Sequence, residues 1–101
     1  MNKPRVNETA LRVLRVLKAL KGHSLHGLSN AELAKALGES PANITRYMAT
    51  LIEAGLATKL ETGRFAPGIA LLQIAQAHTN EMDRAQRRMD EINQRVLAGS
   101  H

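Results

Sequence analysis

Apolar residues recur every third position near the start of the chain, at Leu11, Leu14, Leu17 and Leu20, with Ala10 and Val13 beside them. That spacing predicts a helix from about Val6 to Lys21, ended by Gly22. The segment Gly22-His23-Ser24-Leu25-His26-Gly27-Leu28 has no helical period and two bracketing glycines, so it reads as a loop. Ser29-Asn30-Ala31-Glu32 then spells a capping box. In it the Ser29 hydroxyl accepts from the Glu32 amide and the Glu32 carboxylate reaches back. Leu33, Ala34 and Leu37 form the buried stripe of a helix about two turns long, and Gly38 stands where a left-handed C-cap belongs. Ser40-Pro41 restarts the helical pattern, with serine as N-cap and proline at the first helical position. This third helix runs to about Ala54, with Gly55 closing it and Ile44, Met48, Leu51 and Ile52 as its inner face.

The period then changes. Leu56 to Leu60 reads as a short strand, Glu61-Thr62-Gly63 as a turn, and Arg64-Phe65-Ala66 as the returning strand, ended by Pro67. Such a hairpin is not stable alone, so Leu56, Leu60 and Phe65 are expected to pin it to the helices. From Ile69 to about Leu97 there is no proline or glycine. Within that stretch Leu71, Ala75, His78, Met82, Ala85, Met89, Ile92 and Val96 follow one another in alternating steps of four and three, the a/d register of a coiled coil. Ile69, Leu72 and Ile74 lie off this seam and offer the other possibility, a helix folded back on the rest of the chain.

Charge divides the sequence in the same place. Residues 1–68 hold ten Lys/Arg against five Asp/Glu, and residues 69–101 hold four of each, so the net +5 belongs to the first part. A basic segment followed by a neutral one fits a polyanionic partner for the first and a protein partner for the second. The absence of cysteine excludes a disulfide framework and any thiolate metal site or cysteine nucleophile. Tyr47 and Phe65 are the only aromatic residues, so the core must be aliphatic. No membrane span and no export signal is read, which makes the cytoplasm the expected compartment, with association with the nucleoid if the partner is DNA. His23-x-x-His26 lacks a third convergent ligand, so no metal and no cofactor is expected. No catalytic constellation is present in the pattern, and the chain does not read as an enzyme.

Helix, short capped helix, tight turn, helix, hairpin is the order of a winged helix-turn-helix. The expected fold class is therefore mainly α with a small β-hairpin, a winged helix-turn-helix followed by a long C-terminal helix. The expected division is a DNA-binding domain over 1–68, a dimerisation coiled coil over 69–97 and a tail over 98–101. The run Ala10-Leu11-Arg12-Val13-Leu14, Leu28-Ser29, Glu32-Leu33-Ala34, Leu37-Gly38, Tyr47-Met48-Ala49-Thr50-Leu51, Gly55-Leu56, Gly63-Arg64-Phe65 and Gly68 resembles the DNA-binding domain of the IclR family of bacterial transcriptional regulators. The resemblance covers about residues 8–75. It implies a sequence-specific regulator of bacterial or phage origin that binds double-stranded DNA as a homodimer. Family members continue into a sizeable effector-binding domain, whereas this sequence ends about thirty residues past the wing, so the resemblance carries over no small-molecule effector. The family commonly opens its reading helix with a Pro-Lys-Ser-Thr type of start. Here Ser40-Pro41-Ala42-Asn43 stands instead, so the bases read must differ.

With Ile44, Met48 and Leu51 inward, the 100° helical step places Arg46 opposite them, with Ala42, Asn43, Ala49 and Thr50 on the same outer side and Thr45 at its edge. Arg46 can donate to guanine O6 and N7, Asn43 can pair with adenine, and Ala42 can meet a thymine methyl, flanked by Pro41 and Thr45. Ser29, Asn30, Ser40, Tyr47, Thr50, Lys59 and the wing residue Arg64 are the phosphate candidates. Arg5, Arg12 and Arg15 add a basic rim. Each has a plainer alternative: Arg46, Arg12, Arg15 and Lys18 as a solvated face, Asn43 bonding locally, Tyr47 packing, Ser29 only capping, and Arg64 balancing Glu61. At the level of the whole chain two alternatives remain, a winged helix used for protein assembly in replication or partition, and a nonspecific architectural DNA-binding protein.

Overall fold

The computed structural model describes residues 3–100. Four helices and one hairpin follow in the order α1 (Glu8–Ala19), α2 (Asn30–Leu37), α3 (Pro41–Glu53), β1 (Ala57–Lys59), β2 (Phe65–Pro67) and α4 (Ile69–Gly99). This is the winged helix-turn-helix with a long trailing helix that the hydrophobic pattern predicts. Residues 98–99 are the end of α4 rather than tail and Ser100 is its C-cap, while Met1, Asn2 and His101 lie outside the described residues.

Each start follows its local chemistry. Asn7 caps α1 by accepting from the Ala10 amide at 2.9 Å. Ser29 and Glu32 form the complete capping box on α2, and Ser40 accepts from the Asn43 amide at 3.1 Å ahead of Pro41. Between α2 and α3, Gly38 adopts φ 67°, a left-handed conformation that side chains disfavour and that reverses the chain within one residue.

The core is aliphatic and lies wholly before residue 67 among the described residues. Val16, Leu20, Leu33, Ala34, Ile44, Met48, Leu51, Ala57 and Ala66 are buried, with Tyr47 and Phe65 joining at the rim. The pattern misassigns two faces. Leu14 is 48% exposed and Leu11 only half-buried, while Val13, Val16, Leu17 and Leu20 face inward. A strict three-residue step slips about 60° per turn, so four such residues cannot share one side, and the three-and-four step through Val13 and Val16 wins. Ile52, expected inside, is 39% exposed because Leu51 already occupies the inner position.

The hairpin pairs β1 and β2 antiparallel, Ala57 with Pro67, Thr58 with Ala66 and Lys59 with Phe65. Pro67 is the last residue of β2, so the strand ends there as expected. A further β-bridge joins Phe65 to Leu28, each amide donating to the other's carbonyl at 2.8 Å. β2 is therefore the middle of three backbone segments, which supplies the support a lone hairpin lacks. Behind it, Gly68 donates to the Leu56 carbonyl and Ala70 to the Gly55 carbonyl, both at 3.0 Å, fixing where α4 departs.

With 31 residues, α4 is about 46 Å long. None of its residues is buried, and the molecule reaches 69 Å along its longest axis. Ile69 and Ile74 are 69% and 63% exposed, so α4 does not fold back along the body. It is not apolar enough to cross a membrane.

Candidate nucleic-acid interface

The outward side of α3 is an exposed face of a helix whose other side is buried in the core. Pro41, Ala42, Thr45, Arg46, Ala49 and Thr50 are exposed along it, while Ile44, Tyr47, Met48 and Leu51 are buried on the opposite side. The two alanines keep the backbone of this face accessible, and Arg46 projects between them.

Arg46 does not stand alone. Its guanidinium donates to the Asn43 Oδ1, and the Asn43 Nδ2 donates to the Glu39 Oε2 at 3.2 Å. Glu39 in turn sits 3.7 Å from the Arg12 Nε. A hydrogen bond to Tyr47, and then the charge of Glu39, push the Arg12 guanidinium further toward its charged form. The result is a polar chain from α1 through the helix-turn-helix turn to Arg46. Both ends of the Asn43 amide thus take part in local hydrogen bonds, the plainer of the two roles expected of it, while each end keeps a second donor or acceptor position. Sequence reasoning missed Glu39 because its exposed-turn position gave no sign of a role.

Other candidates are likewise committed within the fold. Asn30 donates to the Pro41 carbonyl at 3.1 Å and to the Thr45 hydroxyl at 3.0 Å, tying α2 to the start of α3. The hydroxyls of Thr45 and Thr50 donate back to the carbonyls of Pro41 and Arg46, so neither has a proton left to offer a phosphate in this arrangement. Tyr47 is only 8% exposed, which favours packing over phosphate contact. Ser40 keeps its hydroxyl proton available beside the α3 start, and Lys59 stands exposed on the wing with its ammonium 6.0 Å over the Phe65 ring.

The largest departure concerns Arg64. It is neither balanced by Glu61 nor extended from the wing. Its Nε donates to the His26 carbonyl at 2.9 Å, one terminal nitrogen donates to the Gly27 carbonyl at 3.0 Å, and the other meets the Glu32 Oε1 at 2.7 Å. Arg64 thus braces the capping box of α2 and clamps wing, loop and helix together. The Glu32 carboxylate already puts negative charge at that helix start, which works against the oxyanion site expected there around Ser29 and Asn30.

The Ser29 backbone N–H, then the Ser29 hydroxyl and the Arg64 guanidinium, hold the Glu32 carboxyl below its ordinary range. A lowered folded-state value stabilises the fold above the unfolded value and is lost as pH falls through the folded one. Thermal melts should therefore show stability falling below about pH 4.3. Glu32→Gln should remove that part of the acid sensitivity while lowering the melting temperature at neutral pH.

The family relationship follows from the same segments. A model of the IclR helix-turn-helix domain matches residues 9–61, from the first turns of α1 to the turn of the wing. The chain belongs to the IclR helix-turn-helix family. Two solved structures are similar to it across most of its length. HmgR of Pseudomonas aeruginosa is 26% identical with a TM-score of 0.66, over 76% of this chain and 33% of that one. A Silicibacter protein described as an IclR transcriptional regulator is 25% identical with a TM-score of 0.63, over 79% of this chain and 32% of that one. This IclR-type chain thus spans about a third of the length of either. No curated protein matches it in sequence.

Proposed function

We propose that this IclR-type protein is a transcriptional regulator that binds double-stranded DNA as a homodimer. The third helix lies in the major groove, and the wing follows the backbone or minor groove. The observation that carries this reading is the outer face of α3, where Arg46 stands exposed between Ala42 and Ala49 on a helix anchored by four buried residues. Arg46 is the base-reading residue, with Ala42, Pro41 and Thr45 shaping the approach. Ser40 and Lys59 supply phosphate contacts, and Arg5 and Arg15 add to the positive field. Asn43 and Arg64 act by holding other groups in place.

Selection from random oligonucleotides with the purified protein tests this. A preferred site is expected, with affinity falling steeply as salt rises. Lys59→Ala should weaken all sequences alike and lower the salt slope by about one. A salt slope without a preferred site would make the protein architectural, and indifference to both would make it an assembly module.

Dimerisation is assigned to the seam Leu71, Ala75, His78, Met82, Ala85, Met89, Ile92 and Val96. Since no core side chain lies beyond Ala66 among the described residues, truncation after Gln73 should leave a folded body that sediments as a monomer. A dimer unchanged by the truncation would remove α4 from that role.

A further inference from the structure

The seam of α4 reads differently along the two directions in which a second copy can lie on it. With two helices parallel and in register, each residue faces itself. Ala75 and Ala85 then make two layers of paired alanines, next to layers of paired Met82 and Met89, and His78 faces its own copy. Small and large layers ask for different helix separations, and the seam cannot be close-packed throughout. With the helices antiparallel, the same alternating steps place Leu71 against Val96, Ala75 against Ile92, His78 against Met89 and Met82 against Ala85. No layer then holds two alanines, and the two histidines are kept apart.

Two further observations point the same way. The flanking positions of the heptad place Glu81 beside Arg88 of an antiparallel copy, twice by symmetry, whereas in the parallel arrangement Glu81 meets Gln86 and Arg88 meets Asn93. In addition, the base of α4 borders an apolar groove of about 420 Å³, lined by Leu17, Lys18, Lys21, Pro67, Leu71 and Leu72. An antiparallel copy brings its helix end there. Val96 and Leu97 of that copy, both exposed, meet the apolar lining. In a parallel pair both helix ends lie at the far tip and the groove stays open.

Resting on the proposed dimerisation through α4, we infer that the partner on this face is a second copy of the chain running antiparallel, with residues 71 and 96 at opposite ends of the shared seam. The two reading heads then stand at the two ends of one rod rather than side by side at its base.

The chain has no cysteine, so single substitutions give clean crosslinks. Full-length Ala75→Cys and Ile92→Cys proteins, carrying tags of different mass, are mixed, equilibrated and mildly oxidised. The expected product is the mixed disulfide, with neither protein crosslinking efficiently to itself. Self-crosslinking of Ala75→Cys would overturn the antiparallel arrangement while leaving dimerisation through α4 intact. A protein that sediments as a monomer, or as a dimer that no combination of the two variants crosslinks, would overturn both. Charge gives an independent readout. Glu81→Arg should weaken the dimer by about tenfold, and adding Arg88→Glu in the same chain should restore it. Equal dimer affinity in all three proteins would count against the arrangement.

Discussion

Gly68→Ala is expected to cost a large share of the stability of this protein. A Cβ at that position would lie 2.4 Å from the Gly55 carbonyl oxygen, 2.7 Å from the Ala57 nitrogen and 2.9 Å from the Ala57 oxygen. All three are backbone atoms. They cannot withdraw without disturbing the bonds from Gly68 to Leu56 and from Ala70 to Gly55, which hold β1, β2 and the start of α4 in one place. The φ of Gly68 is −89°, so the cost is one of overlap and not of dihedral preference. An enforced backbone shift of this kind costs about 3 kcal/mol or more. For a chain of this size that lowers the melting temperature by roughly 12–20 °C. Gly99→Ala, where nothing lies within 4 Å of the added carbon, is the control and should melt with the parent. Equal melting of the two variants would show that the wing does not have the close approach described.

Arg46→Ala should have the largest effect on DNA binding and almost none on folding. The side chain is exposed and lies outside the buried core, so its removal leaves α3 in place. A bidentate arginine contact with guanine contributes about 1–3 kcal/mol of discrimination. The variant should therefore bind a selected site roughly 5- to 150-fold more weakly. A repeated selection should lose its preference at one base pair of each half-site and keep the others. Arg46→Lys should behave more like alanine than like the parent at that pair, because an ammonium lacks the planar fork. Asn43→Ala should give a milder, graded loss, since it leaves the guanidinium present but removes the oxygen that orients it. Unchanged preference in Arg46→Ala would dismiss α3 as the reader.

Much of this architecture was legible in local sequence. Ser29 with Glu32, Ser40 with Pro41, and Gly38 each specify a helix end through contacts within a few residues, and the structure has them all. The outward side of α3 followed from the same logic, because Ile44, Met48 and Leu51 fix its rotation. What local pattern does not carry is pairing across distance. Leu28 meets Phe65, and Arg64 meets Glu32, across more than thirty residues, and nothing in either neighbourhood names the other. Arg64 looked like a cation at a wing tip and turned out to be a brace. Asn43 is hard to assign from sequence because one amide serves a base, a neighbouring side chain or the backbone equally well. The slip in α1 has a geometric source, since triplet spacing imitates a helical stripe over two turns and departs from it over four.

Tyr47 is the single tyrosine of a chain that contains no tryptophan, and it lies on the buried side of α3, in the core that also holds Val16 and Leu20 of the first helix region. The protein thus carries its own optical reporter at the joint between those helices. Excited above the absorption of phenylalanine, ultraviolet emission has one source, sensitive to the packing around the ring. Loosening of α1 against α3 can be followed in the unlabelled protein, without dye or substitution.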